Sequence, residues 1–424
     1  MEKLAVVDLL NYTNSRYITR YMPLVLALGP ENCVFYCSGS FADEYSEPHA
    51  ALLRAGIEVV VDDYQRAKQH RYHLASSVVR GRAWKAAPPP LLTELDSAGT
   101  NFIYHPQSSE AFDPPAAKLP PGSFILYQND HIFFNGIGAG KFVLDAQGRP
   151  EVGKADGGAE GVVVGHLHHT EETLALRGRN RAELRAELEE KMGVKFKPEL
   201  PLVLFFVSHF TNPAQTDRGL ERLAQQANVI LKVIGPEALV GPMWGLDDGY
   251  SRARGENIFP SYDHSLNSLM RYAADVNLAI FQSSAFMSAL MLGLRFIPVY
   301  SQRMLFVSPP ELFNFNLWLR NANSLAVKIM WNISPINIES ADMLMDRIKD
   351  RDYWERFDQA IGEIQAAHLG RFYLGDQALA LAVSYIKRVL TTGTFAPADV
   401  NSRRVVRGPA SLQPGLDFYH KHML

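Results

Sequence analysis

The sequence predicts an α/β protein built from two doubly wound, Rossmann-like domains in succession. Three observations carry that prediction. The chain has 424 residues, more than one ordinary domain holds. Short apolar runs alternate with amphipathic helical segments, the pattern of parallel strands joined by helical crossovers. The alternation occurs twice, with a glycine-rich stretch between the two series.

In the first series, KLAVVDLL (3–10), CVFYCSG (33–39) and IEVVVDD (57–63) read as strands. YITRYMPLVLALG (17–29), with helical apolar spacing and a glycine stop, and HAALLRAG (49–56) read as the helices between them. Residues 85–123 are proline-rich and irregular but hold a strand at NFIYHP (101–106), and SFILYQND (123–130) is the next. The glycine-rich stretch 136–161 reads as a hairpin or linker.

The second series opens at VVVGHL (162–167), so the first domain is expected to span 1–160 and the second 161–375. RNRAELRAELEEKMG (179–193) is a polar-faced helix. LVLFFVSHF (202–210), NVILKVIG (228–235), DVNLAIFQ (275–282) and RFIPVYS (295–301) are strands, with helices at GLERLAQQ (219–226), SLNSLMRYA (265–273) and SAFMSALMLG (284–293). Residues 340–370 read as helical, 376–392 as a separate C-terminal helix and 393–424 as a polar tail.

Composition narrows the function classes. Apolar residues make up 47% and charged residues 21%, as in a globular protein with filled cores. A net charge of −3 gives no strong pull toward nucleic acid or anionic lipid, although local basic patches are compatible with it. The start, MEKLAVVDLL, lacks the pattern of a signal peptide, and no run of 18 apolar residues occurs, so a cytoplasmic protein is expected. Cys33 and Cys37 would share one face of a strand roughly 13 Å apart, too far to bridge, and read as buried thiols. No G-x-G-x-x-G follows the first strand, and there is no G-x-x-x-x-G-K-[ST], so a dinucleotide enzyme and a P-loop are disfavoured.

The order of short words in the second half is more specific. It runs VVVGHLHHTEE, VLFFVSHFTN, VILKVIGPE, NIFPSYDHSLNSLM, ADVNLAIFQSSAFMSALMLG and RFIPVYS, over residues 160–301. In that order the chain resembles the CDP-glycerol glycerophosphotransferases, the teichoic-acid primases and polymerases, which have a GT-B fold. The resemblance implies two Rossmann-like domains facing a central cleft, a nucleotide-activated donor in the C-terminal domain and an acceptor in the N-terminal one. It implies transfer of a sugar or glycerol-phosphate group onto a hydroxyl in bacterial surface polysaccharide synthesis. Two words depart from the family: Gly235-Pro236 stands in place of His-Pro, and Phe281-Gln282 precedes Ser283-Ser284 in place of Asp-Tyr. A CMP-linked ulosonic-acid or other nucleotide-sugar glycosyltransferase of lipopolysaccharide or capsule is therefore a close alternative. A nucleotide-sugar isomerase and a non-catalytic GT-B-like binding protein are further ones.

Site candidates follow from position. Ser283 and Ser284 open a helix after a strand, where hydroxyls and free N–H groups can hold a diphosphate; the bland reading is an ordinary helix cap. Ser208, His209 and Thr211 follow another buried strand, the expected place for a ligand in an open α/β sheet. Lys232 pairs with a phosphate or simply lies along the sheet. By the resemblance, Gly235, Pro236, Tyr262 and Asp263 reach the nucleoside, and Asp263 also suits the N-cap of the next helix. Asp130 and His131, at the end of a first-half strand, suit a general base that deprotonates the acceptor hydroxyl. His166, His168 and His169 are placed at the crossover between domains, and Asp8, Asn11, Thr13 and Asn14 at the acceptor. No metal and no cofactor are expected, because helix N-termini would stabilise the leaving phosphate. The expected partners are the nucleotide-linked donor (CDP-, CMP- or UDP-linked) and a glycan or lipid-linked acceptor, with no nucleic acid. Peripheral membrane attachment is an option that the terminal FYHKHML could assist.

Overall fold

A computed structural model describes residues 2–8, 21–44, 46–75, 101–105, 122–206, 213–232, 253–261, 263, 265–280, 284–300 and 336–407. The chain forms two compact units. Of the described residues, unit 1 takes those up to Glu171 together with Leu369–Arg407, and unit 2 takes those between.

Unit 1 holds a ten-stranded sheet. Its strands are β1 (Leu4–Val7), β2 (Cys33–Cys37), β3 (Glu58–Val61), β4 (Tyr72–Ala75), β5 (Asn101–Tyr104), β6 (Phe124–Tyr127), β7 (Lys141–Leu144), β8 (Pro150–Lys154), β9 (Glu160–Val163) and β16 (Val405–Arg407), with β10–β15 belonging to unit 2. Seven are parallel, in the order β3-β2-β1-β4-β5-β6-β9, and β8, β7 and β16 extend the β9 edge antiparallel. β1 explains why such strands read as unbroken apolar runs. Leu4 and Val6 pack on one face with Phe35 and Cys37, while Ala5 and Val7 pack on the other with Tyr36 and Tyr127. Both faces are covered, so the alternation of a half-exposed strand is lost. The thiols of Cys33 and Cys37 lie in one of these layers, unpaired with each other, and burial pushes both up to about 12.

Unit 2 holds a six-stranded, all-parallel sheet of β10 (Leu202–Phe206), β11 (Asn228–Lys232), β12 (Ile258–Ser261), β13 (Val276–Ile280), β14 (Phe296–Tyr300) and β15 (Ile336–Asn337), in the order β12-β11-β10-β13-β14-β15. The helix Arg181–Met192 covers one face with Leu184 and Leu188; Asn180 caps its start and Gly193, in the left-handed region, ends it. Counted from the first strand of each series, both sheets run 3-2-1-4-5-6, the doubly wound order.

The structure departs from the sequence reading in several places. VVVGHL does not open the second domain: β9 pairs with β6, Tyr127 opposite Val163, and the division falls at 171/172 instead of 160/161. An apolar run states that a strand is buried, not which sheet will take it. The helix Gly375–Thr392 is not a separate element, because Ala378, Ala382, Ile386 and Val389, on one helical stripe, enter the core of unit 1. Burying one such isoleucine contributes roughly 2 kcal/mol. Part of the expected tail, Val405–Arg407, is a strand paired with β7. The helical stretch 340–370 breaks at Asp350, whose carboxylate accepts from Tyr353 N at 2.8 Å and so starts a second helix, Arg351–Ile364. The glycine-rich stretch is a hairpin, β7–β8, and two of its glycines answer to packing. A β-carbon on Gly136 would lie 2.1 Å from the hydroxyl of the buried Tyr127, and one on Gly161 2.4 Å from its ring.

Candidate functional site

In a doubly wound sheet, ligands bind outside the carboxyl ends of the strands where the strand order reverses. In unit 2 that point lies between β10 and β13. Phe206, Lys232, Ser261 and Ala279 stand in register across the ends of β10, β11, β12 and β13. Ser208, His209 and Thr211, and likewise Ser283, lie outside the described residues, but the strands that lead to them, β10 and β13, are neighbours. A helix, Ser284–Leu292, begins four residues after β13 ends, as the strand-to-helix reading expects. The side chain of Ser284 is outside the description. Lys232, at the carboxyl end of β11, is 5% exposed, so its side chain is buried at this edge.

Gly235, Pro236 and Tyr262 lie outside the described residues. Asp263 does not cap the next helix, which starts at Asn267 behind Leu266. Its carboxylate instead accepts from Ser265 N at 2.8 Å and Ser265 Oγ at 2.7 Å, closing a tight turn before the helix. A side chain that bonds two residues ahead competes with the capping geometry and delays the helix start.

Unit 1 reverses its strand order between β1 and β4. The residue that follows β1 is Asp8, fully buried. One carboxylate oxygen accepts from Ser38 N at 3.0 Å and Ser38 Oγ at 3.4 Å, and the other from the Tyr64 hydroxyl at 2.9 Å. Burial and the neighbouring Asp8 raise the Tyr64 phenol, so it stays protonated and keeps donating. Asp8 is thus positioned at the reversal point by β2 and the turn after β3. Asn11, Thr13 and Asn14 lie outside the described residues.

Along the same carboxyl edge a group of imidazoles assembles at the ends of β5 and β9. His105 follows β5 and is fully buried; burial lowers its pKa to about 4, so it is neutral at pH 7. Its Nε2 lies 3.2 Å from the Gly165 carbonyl, which can only accept, so Nε2 carries the proton. Nδ1 is then an acceptor, 3.2 Å from the Tyr21 hydroxyl. His168 meets Tyr21, His105 and His166 edge to face, and His166 stacks on His169 with centroids 4.4 Å apart. His166 and His169 are buried, whereas His168 is partly exposed. Among the described residues no three His, Cys, Asp or Glu side chains are arranged to hold a metal.

The backbone fixes this group. His166 N donates to the Tyr373 carbonyl at 2.9 Å, and Gly375 N donates to the His169 carbonyl at 2.7 Å. The histidines expected at the interdomain crossover therefore belong to the carboxyl edge of unit 1.

Asp130 and His131 do not end a strand. β6 stops at Tyr127, and Asn129 caps a helix, Asp130–Ile137, with its side chain accepting from Ile132 N at 3.0 Å. The Asp130 carboxylate is held by Arg371: Oδ1 meets the guanidinium Nε and Nη2, and Oδ2 accepts from the Arg371 backbone N–H. The side chain of His131 is outside the description.

Sequence reasoning missed His105, Tyr21, Ser38, Tyr64 and Arg371. His105 was within reach, since it follows a buried strand as Asp8 does. The others become visible only when the sheet brings them beside those two.

No family model matches the chain, and no curated protein does. Solved structures do match. Arabidopsis thaliana UGT89C1 complexed with quercetin is 10% identical with a TM-score of 0.50, over 91% of this chain and 99% of that one. The fold is that of the GT-B class. A glycosyltransferase from Rickettsia africae aligns at 9% identity and a TM-score of 0.49, over 92% of this chain and 99% of that one. The wall teichoic acid polymerase TagF, as a point variant, aligns at 11% and 0.48, over 92% and 89%. At such identities the likeness concerns fold alone. Among the described residues no helix is long and apolar enough to cross a membrane.

Proposed function

We propose that the protein is a GT-B type transferase that moves a sugar or glycerol-phosphate group from a nucleotide-activated donor to a hydroxyl in bacterial surface polysaccharide synthesis. The observation that carries this reading is the order reversal in unit 2. The two strands leading to Ser208–Thr211 and to Ser283-Ser284 are the adjacent pair β10 and β13, and a helix starts at Ser284. Unpaired N–H groups at the start of that helix, with the serine hydroxyls, would hold the donor diphosphate and stabilise the leaving nucleotide.

Unit 1 would take the acceptor at Asp8 and the imidazole group. His168, partly exposed beside neutral His105, is the base in this reading. It takes the proton of the acceptor hydroxyl as that oxygen bonds to the transferred group. The bond from that group to the donor phosphate breaks, and its electrons leave on the nucleotide. Asp130, whose carboxylate meets Arg371, is given no step in this reading.

The test is a thermal-shift series with CMP, CDP, UDP, GDP and CDP-glycerol. At least one is expected to raise Tm in a concentration-dependent manner. If none does, the donor-site reading is wrong.

A further inference from the structure

The amino edge of the unit 2 sheet holds a cavity that the transferase reading does not use. It has a volume of about 690 Å³ and lies where the helix Asn267–Ala273 runs into β13. Arg295, in its wall, immediately precedes β14, so the cavity lies at the strand starts. The loops of the proposed donor site leave the opposite ends of β10 and β13, roughly 17 Å away along strands of five residues.

The arginines around this cavity, exposed Arg177 apart, have contacts of their own. Arg179 pairs with Glu187, Arg181 with Asp275 and Arg295 with Asp358, and the Arg271 guanidinium lies 4.5 Å from the Phe206 ring centroid. Two neutral side chains in the wall differ from them. Tyr272 is 6% exposed and Asn277 2% exposed, and among the described residues neither Tyr272 Oη nor Asn277 Oδ1 meets a hydrogen-bond partner. Burial raises the Tyr272 phenol, against the pull of Arg177 and Arg271, so the hydroxyl keeps its proton and can donate it. The Asn277 amide has a fixed sense. Its Nδ2 lies 3.4 Å from the Arg271 carbonyl and 3.2 Å from the Arg295 carbonyl. Carbonyls only accept, so the nitrogen faces them and Oδ1 is left as an acceptor. A buried donor and a buried acceptor without partners are costly, and a ligand that pairs with both removes that cost. Leu176, Leu184, Leu292, Leu294 and Ile361 line the same cavity with apolar surface.

We propose that this cavity binds a flat, uncharged ring with an amide edge, the chemistry of a nucleobase. A ring carbonyl accepts from Tyr272 Oη, and a ring N–H donates to Asn277 Oδ1. The apolar walls cover the faces of the ring, and the two polar groups set its orientation, the usual division of labour in a small-molecule pocket. An acceptor oxygen without a donor repels an anion and calls for an N–H.

The experiment uses the full chain, the variant Tyr272→Phe and two probes, uracil and 1,3-dimethyluracil. In a ligand-observed NMR titration uracil is expected to bind, and Y272F to weaken it about fivefold or more, the loss of one buried hydrogen bond. 1,3-Dimethyluracil keeps both carbonyls and lacks both N–H groups, so the wild-type chain is expected to bind it about fivefold or more weakly than uracil. Phenylalanine keeps the ring, so Y272F should fold; an unchanged or higher Tm checks it, and the dimethyluracil comparison needs no variant. The proposal is overturned if uracil does not bind, if dimethyluracil binds as well as uracil, or if Y272F binds uracil as the wild type does. The last result would place the base elsewhere in the chain and leave the transferase reading standing.

Discussion

Asp130 and Arg371, 241 residues apart in sequence, form a closed two-point contact: Arg371 Nε donates to Oδ1 at 2.9 Å and Arg371 N donates to Oδ2 at 2.8 Å. The pair stands where the chain has just re-entered unit 1, against the first turn of the helix Asp130–Ile137. Arg371→Ala should destabilise unit 1 by about 2 kcal/mol, because a partly buried carboxylate loses charge-assisted partners. A double-mutant cycle with Asp130→Ala, read by urea unfolding, should give a coupling of about 1 kcal/mol or more. Strict additivity would mean that the pair contributes nothing.

Gly165 sits at φ 95°, and a β-carbon there would lie 2.2 Å from the Tyr373 carbonyl oxygen. Gly165→Ala meets both the strained dihedral and a backbone collision, so a loss of about 3 kcal/mol or more is expected. Thermal unfolding measures it. A Tm within a degree or two of the wild type would contradict the close approach.

His105 gives a pH dependence with a defined sign. Its folded pKa is lowered to about 4 by burial, from an ordinary value of 6.5. His73, also buried, is lowered to about 4 for the same reason. As pH falls below 6.5 the unfolded chain takes up protons that the folded chain refuses until about pH 4. Stability is therefore full above pH 6.5 and declines across that window, by up to about 3 kcal/mol for each histidine. Urea unfolding at pH 7.5 and pH 5 should show the decline, and His105→Asn should make it shallower. An equal slope in the variant would refute the buried neutral imidazole.

Ser284→Ala should weaken whichever nucleotide raises the Tm, by about tenfold if its hydroxyl meets a phosphate oxygen. The same affinity in the variant would remove that hydroxyl from the donor site while leaving the helix N–H groups in it.

His168→Ala should lower kcat by about a hundredfold or more with donor affinity retained, the loss expected for a general base. Once a turnover assay exists, the kcat and KM of this variant decide it; an unchanged kcat would return the base role to another residue.

The class of the fold is legible in the residues alone. The apolar runs of β1, β2, β10, β11, β13 and β14 are continuous because both faces of each sheet are covered, and their alternation with helices leaves a parallel, doubly wound sheet as the economical arrangement. The sequence also placed Asp8 and Ser284 at strand and helix ends, because a polar residue directly after a buried run is legible without a structure, whereas Lys232, read inside a strand over 228–235, proved to end β11. The tertiary structure alone decided membership and partnership. That β9 and the helix Gly375–Thr392 complete unit 1 depends on pairing and packing between residues more than 30 positions apart, which periodicity cannot encode. It set Asp130 against Arg371, and it gathered Tyr21, His105 and His168 from three separate segments into one group. The physical reason is the same each time. A side chain's local preference is set by its neighbours in the chain, and its chemistry is set by the groups that folding brings against it.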